Sequence, residues 1–327
     1  MEFNIGKLLE LSENEWISQI VFKGKIGHIV DKGGICFYRI FDQSGEIFAV
    51  TNQKNKFKKG DHVQVTGRLQ RMYGRIEVAV TSISQIGDVN IRSNTSSIID
   101  GKRINSLYVR SYALAAINSY FMKNGFLQVH SPSIVSDWVV GQTGAFDMTF
   151  YGEKCNLTIS NMMYHEIMMI NGFSKMYEIA KIFRQEHPSS IKRLAEFTII
   201  DIGLAYQNAE VMMNTVEEMI RAIYEMLWEK EVKGIDKNIS FEHITYSEIV
   251  KRAGCTKFGG SQFPKCVRNY LNSNYDSFVW VTGFPESKRP FFVRSDKDGI
   301  CFDYQLWYRG STYLAAGGER KTNLNRI

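Results

Sequence analysis

Residues 177–201 read YEIAKIFRQEHPSSIKRLAEFTIID. An apolar run (Tyr177, Ile179, Ile182, Phe183) delivers Arg184 and Glu186, a polar, basic loop (HPSSIKR) follows, and a second apolar run from Leu194 carries Glu196, Phe197 and Asp201. Two such runs around a short polar segment predict a β-hairpin. The side chains it presents suit a nucleoside triphosphate. A planar guanidinium such as Arg184 forks onto a phosphate better than an ammonium does. Phe197 offers a face to a purine, and Glu186 an acceptor to an amino group.

Composition bounds the rest. The chain has 327 residues, 44% hydrophobic and 23% charged, with a net charge of +6. That is globular and long enough for about two domains. There is no apolar run of ~18 residues and so no predicted membrane span. The first residues, MEFNIGKLLELSENEW, lack the apolar core of a signal peptide. Cys36, Cys155, Cys255, Cys266 and Cys301 are scattered without CxxC spacing. They are expected to be reduced thiols in a cytoplasm, with no zinc site. The excess of cations leans mildly towards polyanions.

Short β-rich stretches at 19–23, 35–41, 46–51, 62–68 and 75–83 are separated by Gly, Asp, Asn and Lys turns. Five strands at this spacing predict a small closed barrel. A polar segment, IRSNTSSIIDGKRIN, reads as a linker and lead-in. Tyr108, Tyr112, Ala115, Ala116, Tyr120 and Phe121 fall at helical spacing over about 104–123, with a strand and Pro132 after Gly125. Val216, Met219, Ile220, Ile223 and Leu227 mark a second amphipathic helix, read as core.

The hairpin resembles motif 2 of the class II aminoacyl-tRNA synthetases, closest to the aspartyl/asparaginyl branch, with Phe183, Arg184, Glu186, Leu194, Glu196, Phe197 and Asp201 in register. The stretch from GKIGHIV to KGDHVQVTGRLQ resembles the OB-fold domain of that branch, and the helix–strand–Pro order its motif 1. LTISNMMYHEIMM is similar to its amino-acid-pocket segment, and VWVTGFPESKRPFFVRSDKDGICFDYQLWYRGSTYLAAGGER to a later one, through Pro285, Pro290, Phe291, Asp303, Gly317, Gly318 and Arg320.

The resemblance implies an α+β architecture: an OB-fold β-barrel over 1–90, a linker over 91–103, and a class II synthetase-like antiparallel sheet with flanking helices over 104–327. It implies asparaginyl-tRNA synthetase-like chemistry with ATP and Mg2+, transfer to tRNA, and a cytoplasmic homodimer. Arg184 would be catalytic. Arg184, Glu186, Lys192, Arg193 and Phe197 would bind ATP. Ser160, His165, Asp201 and Arg320 would bind the amino acid, Asp303 the metal, and Phe37 with Lys25 the tRNA anticodon.

Several departures accompany the likeness. Met162 replaces a Gln, His165 a Lys or Gly, Gly203 a Glu two residues after Asp201, and Tyr313 a second metal-binding Glu. In 137–147, Gly141, Gly144 and Phe146 agree with the family's substrate-side loop, but its acidic positions are replaced. A motif 3 is not recognisable before Ile327. An imidazole of ordinary pKa, ~6.5, is only partly charged at neutral pH. Asparagine is therefore favoured over aspartate where the carboxylate-binding Lys is absent. The alternatives are a paralogue that adenylates an amino acid for a non-tRNA acceptor, and a non-catalytic tRNA-binding or regulatory protein.

Overall fold

The computed structural model describes residues 2–11, 19–72, 74–87, 101–136, 144–186, 194–255, 263–308 and 312–322. The linker proposed for 91–103 lies mostly outside them.

In the first unit, β1 (Glu2–Phe3) and α1 (Ile5–Glu10) precede β2 (Ile20–Asp31), β3 (Cys36–Phe41), β4 (Glu46–Thr51), β5 (His62–Met72) and β6 (Arg75–Gln85). The last five pair in the order β2-β3-β4-β6-β5, and β5 pairs back to β2, so the sheet closes. Closure removes the exposed edges that a five-stranded sheet would otherwise present. Alternation supplies the core. In β3, Cys36, Tyr38 and Ile40 point inward, as do Ile47 and Ala49 in β4, and they join Phe22, Ile26, Val63, Val65 and Val78. Phe37, Arg39 and Phe48 take the outer face. Gly33, at φ 68°, adopts the left-handed turn between β2 and β3.

The second unit opens within α2 (Gly101–Lys123) and continues through β7 (Leu127–Gln128), β8 (Ile134–Val135), β9 (Asp147–Phe150), β10 (Glu153–Leu157), α3 (Met162–Ile170), β11 (Lys175–Phe183), β12 (Glu196–Leu204) and α4 (Ala209–Glu229). After these come β13 (Phe241–Thr245), α5 (Tyr246–Arg252), α6 (Lys265–Asn274), β14 (Phe278–Thr282), β15 (Asp303–Tyr308) and β16 (Thr312–Gly318). Three sheets result, ordered β8-β10-β9, β12-β11-β7 and β13-β14-β15-β16. The predicted hairpin is β11–β12, paired antiparallel from Lys175↔Leu204 to Phe183↔Glu196.

Helix starts follow capping chemistry: the side chain of Asn208 accepts from Val211 N at the head of α4, and that of Thr245 from Glu248 N at the head of α5. On α2, Ala116, Ile117 and Phe121 are buried; on α4, Met213, Val216, Met219 and Leu227. One face of β11–β12 meets them with Tyr177, Ile179 and Ile202, alongside Trp280, Tyr304 and Leu306 of the β14–β15 pair. A second core lies under α5 and α6, from Ile249, Val267 and Leu271 to Val279, Val281 and Trp307.

The cysteine expectation needs correction. Cys255 and Cys266 form a disulfide between α5 and α6, while Cys36, Cys155 and Cys301 are free and buried. The two helix ends bring together thiols whose 11-residue separation carried no motif. Among the described residues, no helix is long and apolar enough to cross a membrane.

Gly67 sits at a register shift between β5 and β6, and a Cβ there would be driven into the carbonyl oxygen of Ala79 and a methyl of Val78. Gly67→Ala is expected to cost about 1–3 kcal/mol of barrel stability through overpacking. Denaturant unfolding of the full chain measures it, and an unchanged midpoint would contradict this strand approach.

Candidate active site

The face of β11–β12 turned away from the helices carries Glu178, Ala180 and Ile182 on one strand and Phe197, Ile199, Asp201 and Gly203 on the other. Paired residues of an antiparallel ladder share a face. Glu178 therefore stands beside Asp201, and Gly203 beside Met176.

At the loop end, Arg184 continues the ladder through its backbone N–H to Ala195 O (2.8 Å). Its guanidinium lies 5.3 Å from the Phe197 ring centroid and donates through Nε and Nη2 to Ile159 O. Glu186 is half-buried, with its backbone N–H turned back to Arg184 O. Arg184, Phe197 and Glu186 are thus gathered where the hairpin leaves the sheet. Lys192 and Arg193 lie outside the described residues, as does Gly141. Gly144 accepts from Gln185 N, which ties the described end of the substrate-side loop to the strand carrying Arg184.

Deeper in, α3 lays His165 against Glu178. Both are 3% exposed, with His165 Nε2 3.3 Å from Glu178 Oε2. Ser131 completes the group: its backbone N–H donates to Glu178 Oε1 (2.7 Å) and its hydroxyl to Oε2 (2.5 Å). Burial alone would raise the Glu178 pKa. The hydrogen bonds from His165, from Ser131 twice and from Asn161 outweigh it and hold the carboxyl at about 2. Asp201 behaves oppositely: burial and the neighbouring Glu178 charge raise it, against the opposing pull of His165 and Arg320.

Arg320 reaches the same cleft. Its Nε donates to Glu166 Oε1 (2.7 Å), its Nη1 to Gly318 O, and its guanidinium packs 4.7 Å from the Phe292 centroid. The expected amino-acid-binding residues His165, Asp201 and Arg320 therefore converge. Ser160 has a local role, its hydroxyl accepting from Met162 N at the start of α3.

Asp303 opens β15. It is 3% exposed, with Oδ1 accepting from Phe284 N and Oδ2 paired with Arg289, whose guanidinium stacks on the Phe284 ring. Tyr313 packs edge-on against Trp307. Among the described residues, no group of three His, Cys, Asp or Glu side chains could hold a metal ion. The described residues do not by themselves fit a magnesium site, because the carboxylate singled out for it is paired with a guanidinium and a backbone N–H.

Two residues central to this cleft escaped sequence reading. Glu178, a lone carboxylate inside YEIAKIF, and Ser131, just before Pro132, were not singled out. A charge flanked by apolar residues on both sides was the available signal. On the barrel, Phe37 is half-buried on the outer face with Lys32 Nζ 5.9 Å above its ring, and Lys25 is half-buried on β2. Tyr38, the next residue along β3, is core, since alternation turns it inward.

A closed five-stranded barrel followed by this hairpin and cleft defines a two-part class of nucleotide-handling proteins, and comparison with known families agrees. Residues 88–326 match the family of class II tRNA synthetases (D, K and N), and residues 20–86 the OB-fold nucleic acid binding domain. The chain belongs to the class II tRNA synthetase family, and is a tRNA synthetase-like ligase.

An aspartate–tRNA(Asp/Asn) ligase of Methanopyrus kandleri is 25% identical over 93% of this chain and 80% of its own length. An aspartate–tRNA(Asp) ligase of Thermoplasma volcanium is 28% identical over 82% of this chain and 66% of its own. Among solved structures, asparaginyl-tRNA synthetase of Entamoeba histolytica superposes with a TM-score of 0.76 at 18% identity, over 94% of this chain and 82% of that one. That of Pyrococcus horikoshii, in complex with asparaginyl-adenylate, gives 0.75 at 18% identity, over 94% and 81%.

Because Glu178 is ionised at about 2 against an ordinary 4.5, its stabilising contribution is present above the ordinary value and is lost as pH falls from 4.5 towards 2. A lowering of this size is on the order of 3 kcal/mol. Glu178→Gln is expected to lower stability by that order at pH 7, with the gap to wild type closing over that acid range in pH-dependent unfolding.

Proposed function

We propose that this protein activates an amino acid with ATP as an aminoacyl adenylate and transfers it to tRNA, with asparagine the favoured substrate. The gathering of Arg184, Phe197 and Glu186 at one end of a cleft, with Asp201, His165 and Arg320 at the other, carries this reading. ATP would lie along the hairpin with its base on Phe197, an exocyclic amine near Glu186 and its phosphates at Arg184, with Lys192 and Arg193 assigned to the outer phosphates. Arg184 would leave Ile159 O and the Phe197 ring to meet them.

Asp201 would bind the substrate α-ammonium and Arg320 its polar end. The substrate carboxylate then attacks the α-phosphorus in line and pyrophosphate departs. Arg184 stabilises the charge that builds on the phosphoryl oxygens, so catalysis is by positioning and electrostatics with no protein nucleophile. The family chemistry draws on a divalent metal. Asp303 is bound to Arg289, so no step is assigned to a metal here.

The barrel would hold the tRNA anticodon, with Phe37 stacking on an unpaired base and Lys25 near the backbone; stacking is tolerant of base identity. Exposed Met122, Leu127 and Ile134, around α2, β7 and β8, are assigned to a homodimer contact. The domain limits 1–90, 91–103 and 104–327 are part of the same proposal, as is a cytoplasmic location. Aspartate is the second reading, favoured by the Methanopyrus and Thermoplasma relatives.

Amino-acid-dependent ATP–pyrophosphate exchange tests the proposal. Exchange with asparagine is expected, and Arg184→Ala should lower it by roughly a hundredfold or more while circular dichroism stays unchanged. No exchange with any amino acid, with or without tRNA, would reject it. Phe37→Ala should weaken tRNA binding by about 1–3 kcal/mol and leave exchange intact, read by filter binding.

A further inference from the structure

We propose that Cys255 and Cys266 are a site of reversible thiol–disulfide exchange with small thiols of the glutathione class, and that the state of this bond sets how firmly the α5–α6 crossover is fastened to its sheet. Neither cysteine is a residue of the cleft.

The five cysteines fall into two kinds. Cys36, Cys155 and Cys301 are free and buried. Burial pushes the thiols of Cys36 and Cys301 up, the latter to about 11, which leaves little thiolate to react at neutral pH. Cys255 and Cys266 are bonded to each other and only half-buried, packed against the margin of the core under α5 and α6. A disulfide that solvent thiols can reach is the labile kind, whereas a sealed one resists reduction.

The two sulfurs are not equivalent. Cys266 is the second residue of α6, and its N-cap, Pro264, makes no side-chain hydrogen bond to the helix. The N–H groups of the first turn are left to other acceptors and favour an anion there. Exposed Lys265 adds a cation next to Cys266 in the chain. Cys255 instead follows the C-terminal end of α5, beyond Gly254 at φ 63°, where the helix dipole disfavours negative charge.

The sulfur that best carries charge is the better leaving group. An incoming thiolate RS− therefore attacks Cys255 Sγ, the S–S bond breaks, and Cys266 departs as the thiolate. A second RS− attacks the R-bearing sulfur of the mixed disulfide, RSSR is released, and Cys255 becomes a thiolate. Two electrons pass from two thiols to the protein bond, and the two protons those thiols shed end on Cys255 and Cys266. RSSR drives the same steps backwards.

Topology shows what the bond fastens. Among the described residues β13 is the edge of its sheet and pairs only with β14, in parallel from Phe241↔Phe278 to Thr245↔Thr282. Parallel neighbours need a crossover connection, and α5 and α6 supply it. The bond ties the end of one helix to the start of the other across a separation of 11 residues. Closing that loop removes freedom from the opened chain, so breaking it makes local opening easier. Phe263, just upstream of Cys266, stacks on Tyr246 and lies 5.2 Å from the Trp307 ring, so a loosened crossover reaches the aromatic core beneath it.

The full chain, equilibrated in glutathione buffers of graded reduced-to-oxidised ratio and alkylated in the folded state with N-ethylmaleimide, tests the exchange by peptide mass. Cys255 and Cys266 are expected to become labelled together as reduced glutathione rises, while Cys36, Cys155 and Cys301 stay unlabelled. In samples quenched early, glutathione should sit predominantly on Cys255. A bond that persists at every ratio until denaturant unfolds the chain would make it a sealed staple and overturn the proposal, as would a pair found reduced throughout. Glutathione predominantly on Cys266 would overturn the order of attack.

Hydrogen exchange reads the second half. Reduction should strip amide protection from 241–274 and leave the barrel strands as they were, and should lower the melting temperature of the second unit by roughly 5–10 °C. The double variant Cys255→Ser, Cys266→Ser should show the same pattern without reductant and no further change with it. Should that variant fail to fold, oxidised and reduced wild type decide alone. Protection over 241–274 that ignores the state of the bond would overturn its fastening role.

Discussion

The pairing of β11 with β12 is the constraint on which the second unit rests. Its register sends Tyr177, Ile179 and Ile202 into the core with α2 and α4, and the same alternation delivers Glu178, Phe197, Asp201 and Gly203 to the opposite face. A slip of one residue would exchange the two sets, burying Asp201 among aromatic rings and exposing Tyr177. The apolar side holds the register and the polar side inherits its geometry. Stability and site are thereby two consequences of one ladder, and a substitution such as Tyr177→Asp would disable the cleft without touching it.

That division explains what could be read in the chain. The hairpin, the five barrel strands and the helices of 101–123 and 209–229 follow from periodicity, a property of neighbours in sequence. Arg184, Phe197 and Asp201 were legible because each occupies a fixed offset in the hairpin. Glu178 was not, although it is the most tightly held carboxylate of the cleft. Its partners lie 13 and 47 residues away, and only the folded chain brings α3 and the Ser131 turn onto its strand. The Arg289–Asp303 pair is hidden for the same reason, since an offset of 14 residues has no meaning in a strand or helix pattern.

The same pair shows how the later sequence motif and the structure divide. Asp303 occupies the position where the family resemblance suggests a metal-binding carboxylate, yet its oxygens are spent on Phe284 N and Arg289. A buried carboxylate must be neutralised or paired, and Arg289, stacked on Phe284, supplies both charge and cover. Tyr313, where a second Glu is expected, adds no anion and packs on Trp307. Here the carboxylate at that position is held by a side chain of its own unit.

The amino-acid end of the cleft departs from the resemblance in a linked way. A Glu at 203 would stand on the same face as Asp201 with its Cβ against His165 Nδ1, and its carboxylate would be a natural partner for that ring. Glycine there withdraws both the charge and the partner. A lysine at 165 would face an ionised Glu178, whereas the imidazole present meets Glu178 through Nε2. The residues at 165 and 203 are therefore linked by contact: glycine at 203 brings no side chain to His165 Nδ1, which has no hydrogen-bond partner among the described residues.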